Sequence, residues 1–241
     1  MAKPNVWLSV SDLMTGLMVI FLFVAIAYIK RSQDNMKQKQ SPLQEYVDNK
    51  KNLHDKLVDE FEVESKNGQI TIRGDLSMRF ENAETLFPSG GTTLTPQFKE
   101  ILAEILPRYL NILLNDSMRN KIREIRIEGH TDDAPIPTYD PDPYIANLML
   151  SQRRALNVMR FLRTLPEFQK YTEEEQHLLE YWFTANGFSY GRALDEDNNF
   201  VLVTGKPIVK DRSRRVEFRI VTSGEEVLEN FIEKNEAIQA Q

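Results

Sequence analysis

At 241 residues with 41% apolar side chains, the chain is long enough for one or two domains with a sizeable core. The absence of cysteine excludes disulfides, thiolate metal centres, cysteine nucleophiles and lipoprotein attachment. A net charge of −6 without a dominant Lys/Arg cluster excludes a general nucleic-acid binder, which needs concentrated cations against phosphate.

Residues 6–29 form one apolar segment, interrupted mainly by Ser9, Ser11, Asp12 and Thr15. It exceeds the roughly 20 residues that a helix needs to cross a bilayer. Trp7 and Tyr28 near its ends suit the membrane interface, and Lys30-Arg31 closes it. Ala25-Ile26-Ala27 has the form of a signal-peptide cleavage site, the competing reading, but an acidic residue is foreign to such a peptide. Asp12 is that acid. A carboxylate in the membrane costs about 2.5–3.5 kcal/mol on insertion scales, so such residues face a partner, a cavity or an ion path. The bland alternative is a hydrated, inert carboxylate at the membrane edge. Thr15 and Gly16, one turn on, put a hydroxyl and a close-packing surface on much the same helix face. One helix with one carboxylate cannot enclose an ion path, so a homodimer is expected. Lys30, Arg31, Lys37 and Lys39 follow the span while only Lys3 precedes it, which on charge alone puts the bulk of the chain in the cytoplasm.

Residues 33–66 are polar, with Leu43, Tyr46 or Val47, Leu53, Leu57 and Phe61 at spacings of three and four. The pattern predicts a weak amphipathic helix, interrupted by Lys50, serving as a neck or a plug; a solvated linker is the alternative. Short strands are expected at 69–73 and 78–80. A helix is expected over 96–114, with Thr95 as N-cap and Pro96 in the first turn. Residues 122–128 alternate apolar and charged up to Gly129, as in a strand with one face on a core. A proline-rich acidic loop spans 131–143, and helices follow over 145–165 and 173–180. Strands at 181–185 and 216–221, an irregular loop at 187–211 and a terminal helix from Glu225 complete the α/β pattern. The expected architecture is a mixed sheet with helices on one face. The expected divisions are 1–31 (tail and span), 32–68 (neck or plug), 69–222 (folded domain) and 223–241 (tail).

Gly129-His130-Thr131-Asp132-Asp133-Ala134-Pro135-Ile136 falls where a strand gives way to a loop. Asn147, Leu150, Ser151 and Arg154 then recur at i, i+3, i+4 and i+7, on one helix face. With Arg214-Arg215-Val216-Glu217, these motifs resemble the OmpA-like peptidoglycan-binding domain over about residues 69–222. Ser11-Asp12-Leu13-Met14-Thr15 is similar to the ion-carrying signature of MotB-like stator subunits. The run from Leu13 to Phe23 is similar to the B subunits of Zorya anti-phage defence motors. Only about six residues precede the span, whereas the flagellar stator subunit, the alternative assignment, has a longer basic tail.

The resemblance implies a single transmembrane helix plus an OmpA-like α/β sandwich in the bacterial inner membrane, with the N-terminus cytoplasmic and the C-terminal domain periplasmic. This orientation opposes the charge rule, and a wall ligand outweighs a nearly absent N-terminal loop. It implies an ion-binding Asp12 with Thr15, carrying H+ with Na+ as the alternative, and a multi-span A-type (MotA/ZorA-like) partner around the dimer. It also implies peptidoglycan binding through Asp132 and Arg154, with Asn147, Thr131, Leu150 and Arg214 contributing. The chemistry is consistent: the diaminopimelate of a stem peptide ends in an ammonium, which Asp132 can accept from, and a carboxylate, onto which Arg154 can fork. No cofactor is expected, nor an enzyme, since no nucleophile or water-activating metal accompanies the binding pair. His130 with Asp132 and Asp133 is a weak metal candidate because His54 and His177 are remote. Asp195-Glu196-Asp197-Asn198-Asn199 is a poor calcium loop, with Phe200 where Gly belongs.

Overall fold

The structure, a computed structural model, describes residues 6–80, 83–136 and 139–224. Helix α1 (Val6–Glu60) is continuous from the apolar segment into the folded domain. Its stretch Met14–Gln33, with mean hydropathy 1.8, is long and apolar enough to cross a membrane by length and composition. Pro42 lies within α1 and has no amide hydrogen, so the Gln38 carbonyl loses its helical donor there. The far end of α1 is no solvated linker. Leu53, Leu57 and Phe61, on one face, are buried in the main core, and Lys121 donates to Asn49 at 2.7 Å. The core therefore reaches back beyond residue 69, because the sheet leaves an apolar surface that this face of α1 covers.

A short helix α2 (Glu62–Lys66) leads into strand β1 (Ile70–Ile72), which turns into β2 (Ser77–Phe80). Helix α3 (Ala83–Leu86) and a Pro-Ser-Gly-Gly turn precede α4 (Pro96–Leu114), where the Thr95 side chain accepts from the Phe98 amide as the sequence predicts. Next come α5 (Asp116–Arg119), β3 (Ile122–His130) and α6 (Pro143–Thr164), the last capped by Asp142. Helix α7 (Glu173–Trp182) opens on a Thr172/Glu175 capping box. It runs two residues past the predicted end because Trp182 is buried in the core, so β4 (Phe183–Gly187) starts later than expected. Short helices α8 (Val201–Thr204) and α9 (Lys210–Ser213) lie in the loop before β5 (Arg215–Thr222). The terminal helix expected from Glu225 lies outside the described residues.

The sheet order is β1-β2-β5-β3-β4, antiparallel except for the parallel β3/β4 pair. This is the mixed sheet the sequence predicts. Val216, Phe218 and Ile220 of β5 lie opposite Gly129, Ile127 and Ile125 of β3. Their shared face meets α4 and α6, with Phe218 edge-on to Phe80 at 5.6 Å and to Tyr109 at 5.9 Å. The other face carries Arg79, Glu217, Glu128 and Arg215, and the β4–β5 loop folds over it through Arg192 and Asn198.

Because Leu57 is fully enclosed, Leu57→Ala is expected to cost about 2–5 kcal/mol of domain stability. A fragment beginning at residue 66 is expected to unfold at a lower urea concentration than one beginning at residue 43. Equal midpoints for the two fragments would show that α1 contributes nothing to the core.

Candidate functional site

The ends of β3 and β4 lie hard against α6 because each strand has a glycine there, Gly129 and Gly187. A Cβ on Gly129 would come within 2.2 Å of the Ser151 carbonyl oxygen, and one on Gly187 within 2.5 Å of the Gln152 nitrogen. This close approach brings the residues after β3 under the Asn147/Arg154 face of α6. Ser151, on that face, is spent on packing: its hydroxyl donates to the Leu148 carbonyl at 2.9 Å and accepts from the Ser189 amide at 3.1 Å.

Between these elements lies a cavity of about 550 Å3 whose lining includes Thr131, Asp132, Asn147, Leu150, Arg154 and Arg214. All six residues singled out for wall binding thus share one site. Its opposite wall, Phe87 to Gly90, was not foreseen; the only local signal is the turn sequence Pro88-Ser89-Gly90-Gly91, with Gly90 at φ +64°.

Arg154 is fixed rather than free. Its Nε donates to the Gly91 carbonyl at 2.9 Å and its Nη2 to the Pro88 carbonyl at 3.4 Å, with the guanidinium 4.9 Å from the Phe87 ring centre. Of the five guanidinium N–H groups, the outer edge remains available for a carboxylate. Burial lowers the Arg154 pKa to about 10, against the opposing pull of Asp132, so the side chain is cationic at neutral pH.

Asp132 is only 4% exposed. One carboxylate oxygen accepts from the Ala134 amide at 3.0 Å and the other from Arg214 Nη1 at 3.1 Å. The acid is therefore ion-paired with Arg214, which sequence spacing could not indicate. Arg214 also pairs with Asp211 on the exposed side, and Lys210 lies 3.6 Å from Asp133. Asn147 donates to the Ala134 and Pro143 carbonyls, at 2.9 and 3.0 Å. Its Oδ1 and the Thr131 hydroxyl are buried with no hydrogen-bond partner among the described residues. Such atoms are costly to leave unmet.

His130 belongs to the other face of the sheet. It stacks on Phe188 at 5.3 Å, and burial together with Arg215 lowers its pKa to about 3, leaving it neutral. The grouping with Asp132 is not formed among the described residues: His130 lies opposite Arg215, next to Glu128 and Glu217, while Asp132 bonds to Arg214. Ligand atoms of Glu128, His130 and Glu217 approach within 4.8 Å of one another. However, Glu217 accepts from both Arg79 and Arg215, and Glu128 from Arg192, so guanidinium groups already supply the positive charge. Asp195 accepts from the Asp197 and Asn199 amides and the Thr204 hydroxyl, which makes it an organiser of its loop.

The two residues singled out for ion binding lie apart from this cavity. Thr15 is exposed within the span, and the Asp12 side chain lies outside the described residues, although its backbone belongs to α1.

The OmpA family model matches residues 86–170, the stretch that builds most of the cavity. A solved structure, that of a putative MotB-like protein from Desulfovibrio vulgaris, shares the fold with TM-score 0.50 and 21% identity, covering 74% of this chain and 98% of that one. A Zorya protein ZorB from Escherichia coli O139:H28 is 27% identical over 223 residues, 91% of this chain and 81% of that protein. Zorya protein ZorB from the Crooks strain of Escherichia coli is 33% identical over 230 residues, 95% of this chain and 92% of its own length. Likeness at that level along nearly the whole chain, span included, establishes that this protein belongs to the ZorB family of Zorya proteins.

Proposed function

We propose that this chain is the ion-carrying, wall-anchoring B subunit of a Zorya-type anti-phage motor in the bacterial inner membrane. The observation that carries the reading is the cavity of about 550 Å3 that a fixed cation, Arg154, and a buried acid, Asp132, line together. An ammonium and a carboxylate held a few ångströms apart, as in the diaminopimelate of a peptidoglycan stem peptide, fit that pair. Thr131 and Asn147 would take the amide hydrogens of the peptide, and Leu150 its apolar stem. Two copies would pack their spans within a multi-span A-type subunit, with the N-terminus cytoplasmic and the domain periplasmic. Asp12, with Thr15, would accept a proton, or alternatively sodium, from one side and release it to the other. The membrane potential contributes about 2.3 kcal/mol per charge per 100 mV to such a step. Because α1 runs from the span into the core, its far end acts as a neck.

The detergent-purified full chain is expected to sediment with sacculi of the diaminopimelate type and much less with lysine-type sacculi, whose residue lacks the second carboxylate. Equal sedimentation with both would rule out this ligand. Native mass of the complex with its A-type partner should count two copies of this chain, and a single copy would refute the dimer.

A further inference from the structure

The cavity holds two guanidinium groups on different terms. Arg154 is locked by two backbone carbonyls and the Phe87 ring. Arg214 has no backbone anchor among its described contacts and touches only carboxylates, Asp132 within the cavity and Asp211 outside it. Its side chain is 30% exposed, while that of Asp211 is 83% exposed and Asp132 is nearly sealed. The backbone beneath it is held: the Ser213 hydroxyl accepts from the Leu194 amide and donates to the Val209 carbonyl, and Arg215 is buried on Glu217. Any adjustment therefore falls to the Arg214 side chain alone.

We propose that Arg214 is a built-in stand-in for the ligand ammonium, seated on Asp132 and moved onto Asp211 when a zwitterionic ligand enters. This rests on the wall-binding reading above and specifies how that site is regulated. Asp132 accepts from the Ala134 amide on one oxygen and from Arg214 on the other, and with its side chain only 5% exposed it leaves little open surface, so an incoming ammonium competes with Arg214 for it. A sealed carboxylate left bare would cost much more than one kept paired, which gives the stand-in its physical reason. Asp211 lowers the cost of opening because Arg214 leaves one carboxylate for another with which it is already in contact. A ligand carrying only a carboxylate cannot displace Arg214, so opening depends on the ligand's ammonium, while Arg154 receives its carboxylate.

The test uses the full chain in detergent and a soluble stem peptide ending in diaminopimelate, with affinities from calorimetry. Arg214→Met keeps the length of the side chain and removes the competitor, so affinity is expected to rise by at least about two- to fivefold, the worth of a partly exposed ion pair. Asp211→Asn, at an exposed position, removes the alternative seat and is expected to weaken binding by a similar factor. In the Arg214→Met background, Asp211→Asn should have no effect. Weaker binding by Arg214→Met would overturn the proposal and make Arg214 a direct ligand contact. So would an Asp211→Asn effect that survives without Arg214. Failure of the wild type itself to bind the peptide would instead refute the wall-binding reading and, with it, this inference.

Discussion

Asp12→Asn is expected to leave the chain folded, inserted and able to sediment with cell-wall sacculi, and to abolish phage protection and ion flux. An amide keeps the shape of the carboxylate but can neither gain nor lose a proton at physiological pH. Its effect is all-or-none because a carrier without a titrating group completes no cycle. Asp12 is also remote from the core that holds the domain together, which begins at Leu53. The measurement pairs a plaque assay with flux through the complex reconstituted with its A-type partner. Undiminished protection would return Asp12 to an idle residue at the membrane edge and leave the protein a passive tether.

Arg154→Ala is expected to weaken sacculus binding at least tenfold, since removing one member of a buried charge pair costs about 2–5 kcal/mol. Two effects act together. The ligand carboxylate loses its fork, and the Gly91 and Pro88 carbonyls lose the donor that holds the Phe87–Gly90 wall in place. Arg154→Lys should recover only part of the loss, because an ammonium keeps the charge but cannot serve both carbonyls and a carboxylate in one plane. Arg163 is the control: it lies further along α6, half exposed, paired with Glu180 at 2.8 Å and resting on Phe168. Arg163→Ala should bind like the wild type. Equal retention of wild type, Arg154→Ala and Arg163→Ala on sacculi would reject the site and revive the cytoplasmic orientation suggested by Lys30, Arg31, Lys37 and Lys39.

Much of the molecule was legible in its sequence because the signals are local. The apolar run after Asp12, the Thr95-Pro96 cap, the alternation over residues 122–128 and the i, i+3, i+4, i+7 face of α6 each follow from helix or strand periodicity and capping. Those same periodicities put Asn147, Leu150 and Arg154 on one side of a helix, and the strand end put Thr131 and Asp132 where the strand gives way to a loop. Only the tertiary structure decided how these faces are completed. The pairing of Asp132 with Arg214, 82 residues away, depends on where β5 enters the sheet. His130 shares the face of Glu128 because alternate strand positions share a side, whereas Asp132 lies past the end of β3, where the chain turns towards α6. The polar stretch after the span became part of the core because Leu53, Leu57 and Phe61 find an uncovered apolar surface, which exists only once the strands and α4 are assembled. Local sequence fixes which side chains share a face, whereas the partner across the gap is chosen by packing, which sums contacts from the whole chain.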